Sequence, residues 1–215
     1  MNKEFGRVES GELVFVIDDD ASVCKGLSRL LYSAGYETEV FHSASDYLAR
    51  EPYAGIGCLI LDVRMPEIDG PNLQLRLNQQ QSDLPIIFLT GHGDLPMGIK
   101  AMKRGAENFL TKPVDEVSLL DAVSSALERH RAVHSERLRS ADTRARMESL
   151  TPREFEVLQC ILGGAINRQI AEKLSISEKT VKAHRAKIMH KLNVSSAAEL
   201  GWVCSIAQLP VEKPG

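Results

Sequence analysis

Four apolar runs of this sequence each end in side chains that could carry out phosphoryl chemistry. "LVFVI" is followed by Asp18 and Asp19, "CLIL" is followed by Asp62, "PIIFLT" ends in Thr90, and "NFLT" is followed by Lys112. If these runs are parallel strands of one sheet, the side chains meet at its carboxyl edge, where open α/β sheets bind ligands. Carboxylates suit a hard cation such as Mg²⁺, while a hydroxyl and an ammonium suit phosphoryl oxygens. A carboxylate in that setting is a nucleophile that can accept a phosphoryl group.

Each of these residues also has an ordinary interpretation. Asp19 or Asp20 could simply cap the helix that follows. Thr90 could be an ordinary strand residue, and Lys112 an ordinary solvated lysine. Asp62 is harder to explain in this way, because a carboxylate directly behind an apolar strand is costly to bury. The joint occurrence at four strand ends favours the phosphoryl pocket.

The elements that would position these residues follow from the hydrophobic pattern. Strand candidates lie at residues 13–17, 37–41, 58–61, 85–90 and 108–111, and amphipathic helical segments separate them. Strands that alternate with helices imply right-handed crossovers and a parallel sheet covered on both faces. The pattern therefore predicts a doubly wound five-stranded α/β domain, flavodoxin-like with (βα)5 topology.

A long helix follows this domain. Its apolar stripe includes Leu120, Val123 and Leu127 and thins as arginines accumulate, which indicates a solvated helical linker. His130 and His134 are one helical turn apart and could pair on a metal ion, but no third ligand is visible in the sequence. We therefore predict that both lie on a solvated helix face.

The C-terminal part is all helical by the same criteria. "TPRE" from Thr151 to Glu154 has the form of a capping box that opens a helix, and Asn167 and Ser177 start the next two. Four short helices result, and the tight connection "SIS" between the second and third predicts a helix-turn-helix. In the third helix, Val181, Ile188 and Leu192 mark the inward face.

The rest of that third helix has the chemistry of a surface for double-stranded DNA. Lysines suit phosphates and base edges, and small residues allow close approach to the major groove. The alternative is an ordinary solvated charged face, but the place of the helix in a helix-turn-helix favours DNA. The predicted contact residues are Lys179, Thr180, Lys182, Ala183, Arg185, Ala186, Lys187 and His190.

Composition and charge agree with two functions in one chain. The 215 residues are 43% hydrophobic and 26% charged, which is typical of globular proteins. Residues 1–125 hold 11 Lys and Arg against 19 Asp and Glu, whereas residues 151–215 hold 9 against 6. The basic end is therefore the part expected to meet a polyanion. The four scattered cysteines form no C-x-x-C pair, which argues against disulfides or a zinc site.

The sequence shows no signal peptide and no apolar run long enough to span a membrane, so we expect a cytoplasmic protein that does not bind membranes. The predicted divisions are a flexible N-terminus at 1–12, an α/β domain at 13–126, a helical linker at 127–148, a helix-turn-helix domain at 149–209 and a tail at 210–215.

Several motifs resemble a known family. "VIDDD", "LILDVRMPEIDG", "FLTGHGD" and "FLTKP" are similar to the receiver domain of two-component response regulators, over residues 12–125. "LTPREFEVL", "GGAINRQIAEKL" and "SISEKTVKAHRAKIMHKLNV" are similar to the LuxR-type DNA-binding domain of the NarL/FixJ class, over residues 149–209.

The resemblance implies a role for each pocket residue. Asp62 would be the phosphoacceptor. Asp18, Asp19 and Asp62 would hold Mg²⁺ together with the backbone carbonyl of Arg64. Thr90 and Phe109 would be switch residues, and Lys112 would contact the phosphoryl group and be joined to Pro113 by a cis bond.

The leading hypothesis is therefore a phosphorylation-switched transcription regulator, most simply an activator working with RNA polymerase. A sensor histidine kinase would phosphorylate Asp62 with Mg²⁺. The chain would then form a homodimer through the helix from Pro96 to Arg104 and the strand from Asn108 to Thr111, and bind a two-half-site operator. It would be no enzyme beyond its own phosphoryl transfer and autodephosphorylation. The alternatives are a helix-turn-helix regulator whose receiver works without phosphorylation, and a Mg²⁺-dependent aspartyl phosphohydrolase.

Overall fold

The structure is a computed structural model that describes residues 11–91 and 102–206. The chain divides into two compact units, Met1–His134 and Ser135–Gly215. Each unit has its own hydrophobic core, as expected for separate domains.

The first unit contains a five-stranded parallel sheet with the strand order β2-β1-β3-β4-β5. Its strands are β1 (Glu12–Ile17), β2 (Glu37–Phe41), β3 (Ile56–Asp62), β4 (Ile86–Thr90) and β5 (Asn108–Thr111). The helices described with it are α1 (Ala21–Ser33), α2 (Ala44–Ala49), α3 (Gly70–Gln79) and α4 (Glu116–Glu148), of which the residues from Ser135 onward belong to the second unit. The predicted flavodoxin-like fold is confirmed, and its switch point lies between β1 and β3.

The central strands read as continuous apolar runs because both of their faces are covered. Phe15, Leu61 and Phe88 belong to the core cluster on one face of the sheet. Val16 and Ile60, which alternate with them, belong to the cluster on the other face, where helices α1 and α4 supply the partners. The sheet is thereby fixed in register, and so are the side chains at its carboxyl edge.

Helix α4 departs from the prediction at one residue. Val123 and Leu127 are buried as expected, but His130 is also buried, with 1% of its surface exposed. Its Nδ1 accepts a 3.0 Å hydrogen bond from the backbone N–H of Gly57, and its Nε2 lies 3.4 Å from Asp83 Oδ1. The prediction that His130 lies on a solvated face is therefore wrong, because contacts with distant parts of the chain outweigh the polar character of its helix.

The second unit contains four helices in residues 152–206: α5 (Pro152–Leu162), α6 (Asn167–Leu174), α7 (Glu178–Leu192) and α8 (Ala197–Ile206). The predicted capping box is confirmed, with Thr151 as the N-cap of α5 and Glu154 as its third residue. Ser177 is the N-cap of α7 and accepts from the N–H of Thr180. The core of the second unit buries apolar side chains from three of these helices, namely Val157, Leu158, Ile170, Val181, Ile188 and Leu192.

None of the helices in the described ranges is long and apolar enough to cross a membrane.

Candidate functional site

Lys112 joins two buried carboxylates at the carboxyl edge of the sheet. Its Nζ lies 2.6 Å from Asp18 Oδ2 and 2.6 Å from Asp62 Oδ1. Asp18 follows β1, Asp62 ends β3 and Lys112 follows β5, so the parallel sheet brings together residues far apart in sequence. Asp18 is 1% exposed and Asp62 is 6% exposed. Two carboxylates held this close without a cation would repel each other strongly, which gives Lys112 a clear electrostatic role.

The remaining carboxylate oxygens are held by backbone donors. Asp18 Oδ1 accepts a 2.9 Å hydrogen bond from the N–H of Asp20, and Asp62 Oδ2 accepts a 2.8 Å bond from the N–H of Arg64. Both carboxylates are therefore fixed in orientation before any ligand binds.

The charges of this pocket are coupled. Burial raises the pKa of Asp62 above its ordinary value of 3.8, and the charge of Asp18 acts in the same direction, against the opposing effect of Lys112. Burial alone would lower the pKa of Lys112, but its bonds to Asp18 and Asp62 outweigh burial, and the pKa is raised. Lys112 is therefore charged at neutral pH, and Asp62 is more basic than an ordinary aspartate, which favours it as a nucleophile.

The two predicted switch residues lie near this edge. Thr90 is the last residue of β4, is 1% exposed, and its hydroxyl donates to the carbonyl of Gly91 at 3.0 Å. Phe109 lies in β5, half-buried against the core on the α3 face. The bond between Lys112 and Pro113 is cis, as the resemblance implies. Residues 96–101 of the predicted dimerisation segment, which runs from Pro96 to Arg104, lie outside the described part of the chain.

The three adjacent aspartates after β1 have three different environments. Asp18 is buried, Asp19 is exposed, and Asp20 caps helix α1 by accepting from the N–H groups of Ser22 and Val23. Of the two aspartates that could cap this helix by sequence, Asp20 is therefore the cap. Within the described part of the chain, no three His, Cys, Asp or Glu side chains are grouped closely enough to form a metal site on their own.

The donors at this edge nevertheless suit Mg²⁺. Asp18, Asp62 and the exposed Asp19 supply only oxygen ligands, and Mg²⁺ binds through one or two carboxylates while it keeps several waters. Three carboxylates against the single ammonium of Lys112 leave an excess of negative charge, which a divalent cation would offset.

Two residues that support the pocket were missed by sequence reasoning. A Cβ on Gly70 would lie 2.4 Å from the carbonyl oxygen of Asp62, so only glycine allows α3 to begin this close to the end of β3. The only hint in the sequence is that "DG" follows the strand. The thiol of Cys24 donates to the carbonyl of Asp18 at 3.2 Å, and nothing in the sequence pattern indicates this contact.

The second candidate surface is helix α7. The connection from α6 passes through Ser175, which has a left-handed backbone with φ of 53°. Of the predicted contact residues on α7, Arg185 is half-buried and the others are exposed, namely Lys179, Thr180, Lys182, Ala183, Ala186, Lys187 and His190. The structure therefore leaves one long face of α7 open, while Val181, Ile188 and Leu192 anchor the other.

Comparisons with known proteins agree with both surfaces. Residues 14–124 match the response regulator receiver domain, and residues 148–203 match the family described as bacterial regulatory proteins, luxR family. The response regulator protein TodT of Pseudomonas putida is 44% identical over 192 residues, which cover 89% of this chain and 85% of TodT.

The transcriptional regulatory protein FixJ of Bradyrhizobium diazoefficiens is 39% identical over 187 residues, covering 87% of this chain and 91% of FixJ. Among solved structures, the response regulator StyR matches with a TM-score of 0.85 and 45% identity, covering 90% of this chain and 98% of StyR. The chain therefore belongs to the response regulators of two-component systems, in the NarL/FixJ class that joins a receiver domain to a LuxR-type DNA-binding domain, and is a transcription regulator.

Proposed function

We propose that phosphorylation of Asp62 by a sensor histidine kinase switches this regulator. The observation that carries the proposal is the position of Lys112, whose ammonium lies 2.6 Å from the carboxylates of both Asp18 and Asp62. The bridge brings a cation, a nucleophile and a second carboxylate together at one edge of the sheet, which is the arrangement that phosphoryl transfer to an aspartate needs.

In the proposed step, one carboxylate oxygen of Asp62 attacks the phosphorus atom of the donor. A P–O bond forms as the bond to the leaving group breaks, and the leaving group keeps that electron pair. The ammonium of Lys112 stabilises the negative charge on the phosphoryl oxygens, and the hydroxyl of Thr90 turns from the carbonyl of Gly91 to donate to one of them. The N–H of Arg64 holds the carboxylate in place.

We propose that Asp18, Asp19 and Asp62, with the backbone carbonyl of Arg64, hold Mg²⁺ in this pocket. The ion would supply neutralisation of charge on the transferred group. Removing Mg²⁺ with a chelator should therefore abolish phosphorylation while the far-ultraviolet circular dichroism of the chain stays unchanged, since the strands are held by apolar packing. A loss of secondary structure on chelation would contradict this assignment.

The phosphoryl group would act on the rest of the receiver through Thr90 and Phe109. Strand β5, which contains Phe109, lies at the edge of the sheet and is suited to report the change to a partner surface. A homodimer through β5 and residues 96–104 would present two copies of α7 to a two-half-site operator in the bacterial cytoplasm, and so regulate recruitment of RNA polymerase. Beyond accepting and hydrolysing its own phosphoryl group, the chain would carry out no reaction.

The test is Asp62→Asn, which keeps the shape of the side chain but removes the nucleophile. With acetyl phosphate and Mg²⁺, the wild-type chain should incorporate phosphate and dimerise in sedimentation experiments, whereas Asp62→Asn should do neither. Glu51→Gln is the matched control, because Glu51 is exposed in the connection before β3, at the opposite edge of the sheet, and its loss should leave phosphorylation unchanged. Dimerisation of the Asp62→Asn chain to the wild-type extent would contradict the proposal and favour a receiver that works without phosphorylation.

A further inference from the structure

Lys191 is a basic residue on α7 that the structure uses inside the second unit. Its Nζ donates to Glu154 Oε2 at 2.6 Å and to the carbonyl oxygen of Ser149 at 2.9 Å. The side chain of Lys191 is 31% exposed, and that of Glu154 is 5% exposed. An ammonium that already donates to a buried carboxylate and a carbonyl would have to break these bonds to reach a phosphate.

Glu154 is a rigid and permanently charged partner. It is the third residue of α5, where its Oε2 accepts from the N–H of Thr151 at 2.8 Å and its own N–H donates to Thr151 Oγ1 at 3.3 Å. The hydrogen bond from Lys191 and that from Thr151 lower the pKa of Glu154 to about 2. The carboxylate is therefore ionised and fixed in direction at any physiological pH.

The carbonyl of Ser149 lies where α4 ends. The N–H of Ser149 donates back to the carbonyls of Ala145 and Arg146, each at 3.2 Å. Carbonyls at a helix C-terminus have no donor from the next turn, and Lys191 supplies one to Ser149. A cation at this position also interacts favourably with the negative end of the helix dipole. Lys191 therefore joins three helix ends: the C-terminus of α4, the N-terminus of α5 and the C-terminal turn of α7.

This junction lies at the C-terminal end of α7, which the short connection from α6 does not hold. The N-terminus of α7 is fixed by the Ser177 cap and the short turn from α6, and its last turn is fixed by Leu192 in the core and by the bonds of Lys191. A helix of 15 residues is about 22 Å long, so a small tilt about its N-terminal end moves the exposed side chains of the C-terminal half by several ångströms.

We propose that Lys191 is a positioning residue for DNA binding, which sets the tilt of α7 through Glu154 and Ser149 and does not itself contact DNA. This inference rests on the proposed function, in that α7 is taken as the helix that enters the major groove.

The test compares Lys191→Met and Glu154→Gln with Lys187→Ala in the full-length chain. Lys187 is exposed on the same helix and is a proposed phosphate contact, so it serves as the reference for a direct contact. The probe is a duplex recovered from a random-sequence pool by the wild-type chain in the presence of acetyl phosphate and Mg²⁺. Affinity is measured over a series of salt concentrations, and circular dichroism establishes that each variant is folded.

Lys187→Ala should weaken binding and reduce the slope of log affinity against log salt by about one, as loss of a phosphate contact does. Lys191→Met and Glu154→Gln should each weaken binding about fivefold, which is the range for changes that act without touching the ligand. If Lys191 contacted DNA directly, Glu154→Gln would instead strengthen binding, because it frees the ammonium of Lys191 to reach a phosphate. Lys191→Arg should keep close to wild-type affinity, in contrast to Lys191→Met, because a guanidinium can donate to the same carboxylate and carbonyl. A role in stability alone would change the melting temperature and leave the affinity of the folded chain unaltered.

Two results would overturn the inference: wild-type affinity in folded Lys191→Met, or binding by folded Glu154→Gln that is as tight as wild type or tighter. If Lys191→Met does not fold, Glu154→Gln and Lys191→Arg decide the question, because both keep a polar partner at the junction. A failure of the proposed function gives a different result. If α7 does not enter the major groove, Lys187→Ala leaves both the affinity and the salt slope unchanged.

Discussion

The backbone N–H of Gly57 donates a 3.0 Å hydrogen bond to Nδ1 of His130, 73 residues away in sequence. Since Nδ1 accepts, the neutral ring must carry its proton on Nε2, which faces Asp83. The bond ties the start of β3 to helix α4 at the edge of the sheet opposite the phosphoryl pocket. A ligand role for this histidine is disfavoured, because the nitrogen that faces Asp83 has no free lone pair for a metal ion.

Replacing His130 should therefore destabilise the first unit. His130→Leu leaves the N–H of Gly57 buried without an acceptor, which should lower the free energy of unfolding by about 2 kcal/mol. Amide hydrogen exchange in β3 and α4 would measure the effect. His134→Leu is the control, because His134 is half-buried one turn further along the same helix and should change exchange little.

The stability of the first unit should also depend on pH through His130. Burial lowers the pKa of His130 below 6.5, against the opposing effect of Asp83. Below pH 6.5 the unfolded chain binds a proton at His130 that the folded chain does not bind. The free energy of unfolding is therefore unaffected by His130 above pH 6.5 and decreases as the pH drops below it. The dependence in this window should disappear in His130→Gln. If it persists there unchanged, another group is responsible.

Gly70 should be intolerant of any side chain. Gly70→Ala places a methyl group 2.4 Å from the carbonyl oxygen of Asp62 and 2.9 Å from the ring of Phe88. We expect a loss of about 2 to 3 kcal/mol in unfolding free energy and slower phosphorylation of Asp62 by acetyl phosphate. Gly26→Ala is the matched control, since a Cβ there has no neighbour within 4 Å and alanine should stabilise α1 by about 0.5 to 1 kcal/mol. Equal behaviour of the two variants would contradict the proposed packing role of Gly70.

Acid should weaken the second unit through Glu154. Its pKa is about 2 in the folded chain, lowered by Lys191, against an ordinary value of 4.5. A lowered carboxylate pKa contributes stability that is complete above pH 4.5 and is lost as the pH falls towards 2. Amide hydrogen exchange in α5 and α7, corrected for the intrinsic exchange rate at each pH, follows the stability of this unit. Glu154→Gln should flatten the pH dependence in this window.

Lys182 and Lys179 should differ in what they contribute to DNA binding. Lys182→Ala should lose about 1 to 3 kcal/mol of discrimination at one base pair of the operator, because we propose that Lys182 reads a purine edge. Lys179→Ala should weaken binding to all sequences alike, because we assign it to phosphate. Competition among single-base variants of a selected duplex would distinguish them. Unchanged discrimination in Lys182→Ala would refute base recognition by that residue.

Much of this molecule could be predicted from local patterns. The central strands β1, β3 and β4 appear as apolar runs because both of their faces are buried, and each run ends in or is followed by a polar residue at the carboxyl edge of the sheet. The Thr151 capping box and the Ser177 cap follow from hydrogen bonds between residues three positions apart, which neighbouring letters of the sequence reveal. The pocket carboxylates and Lys112 were recognisable because they follow apolar runs, and the basic face of α7 was recognisable from its helical periodicity.

The pairing of residues distant in sequence was decided by the tertiary structure alone. Periodicity placed Lys112 at a strand end, but only the strand order brings its ammonium to both Asp18 and Asp62. His130 has a polar local context and was assigned to solvent, yet it is buried because a backbone N–H of β3 needs an acceptor there. Lys191 and Lys187 are both lysines on one basic helix, and the fold turns one inward to Glu154 and leaves the other exposed. Sequence determines which chemical groups are available, and packing determines which of them meet.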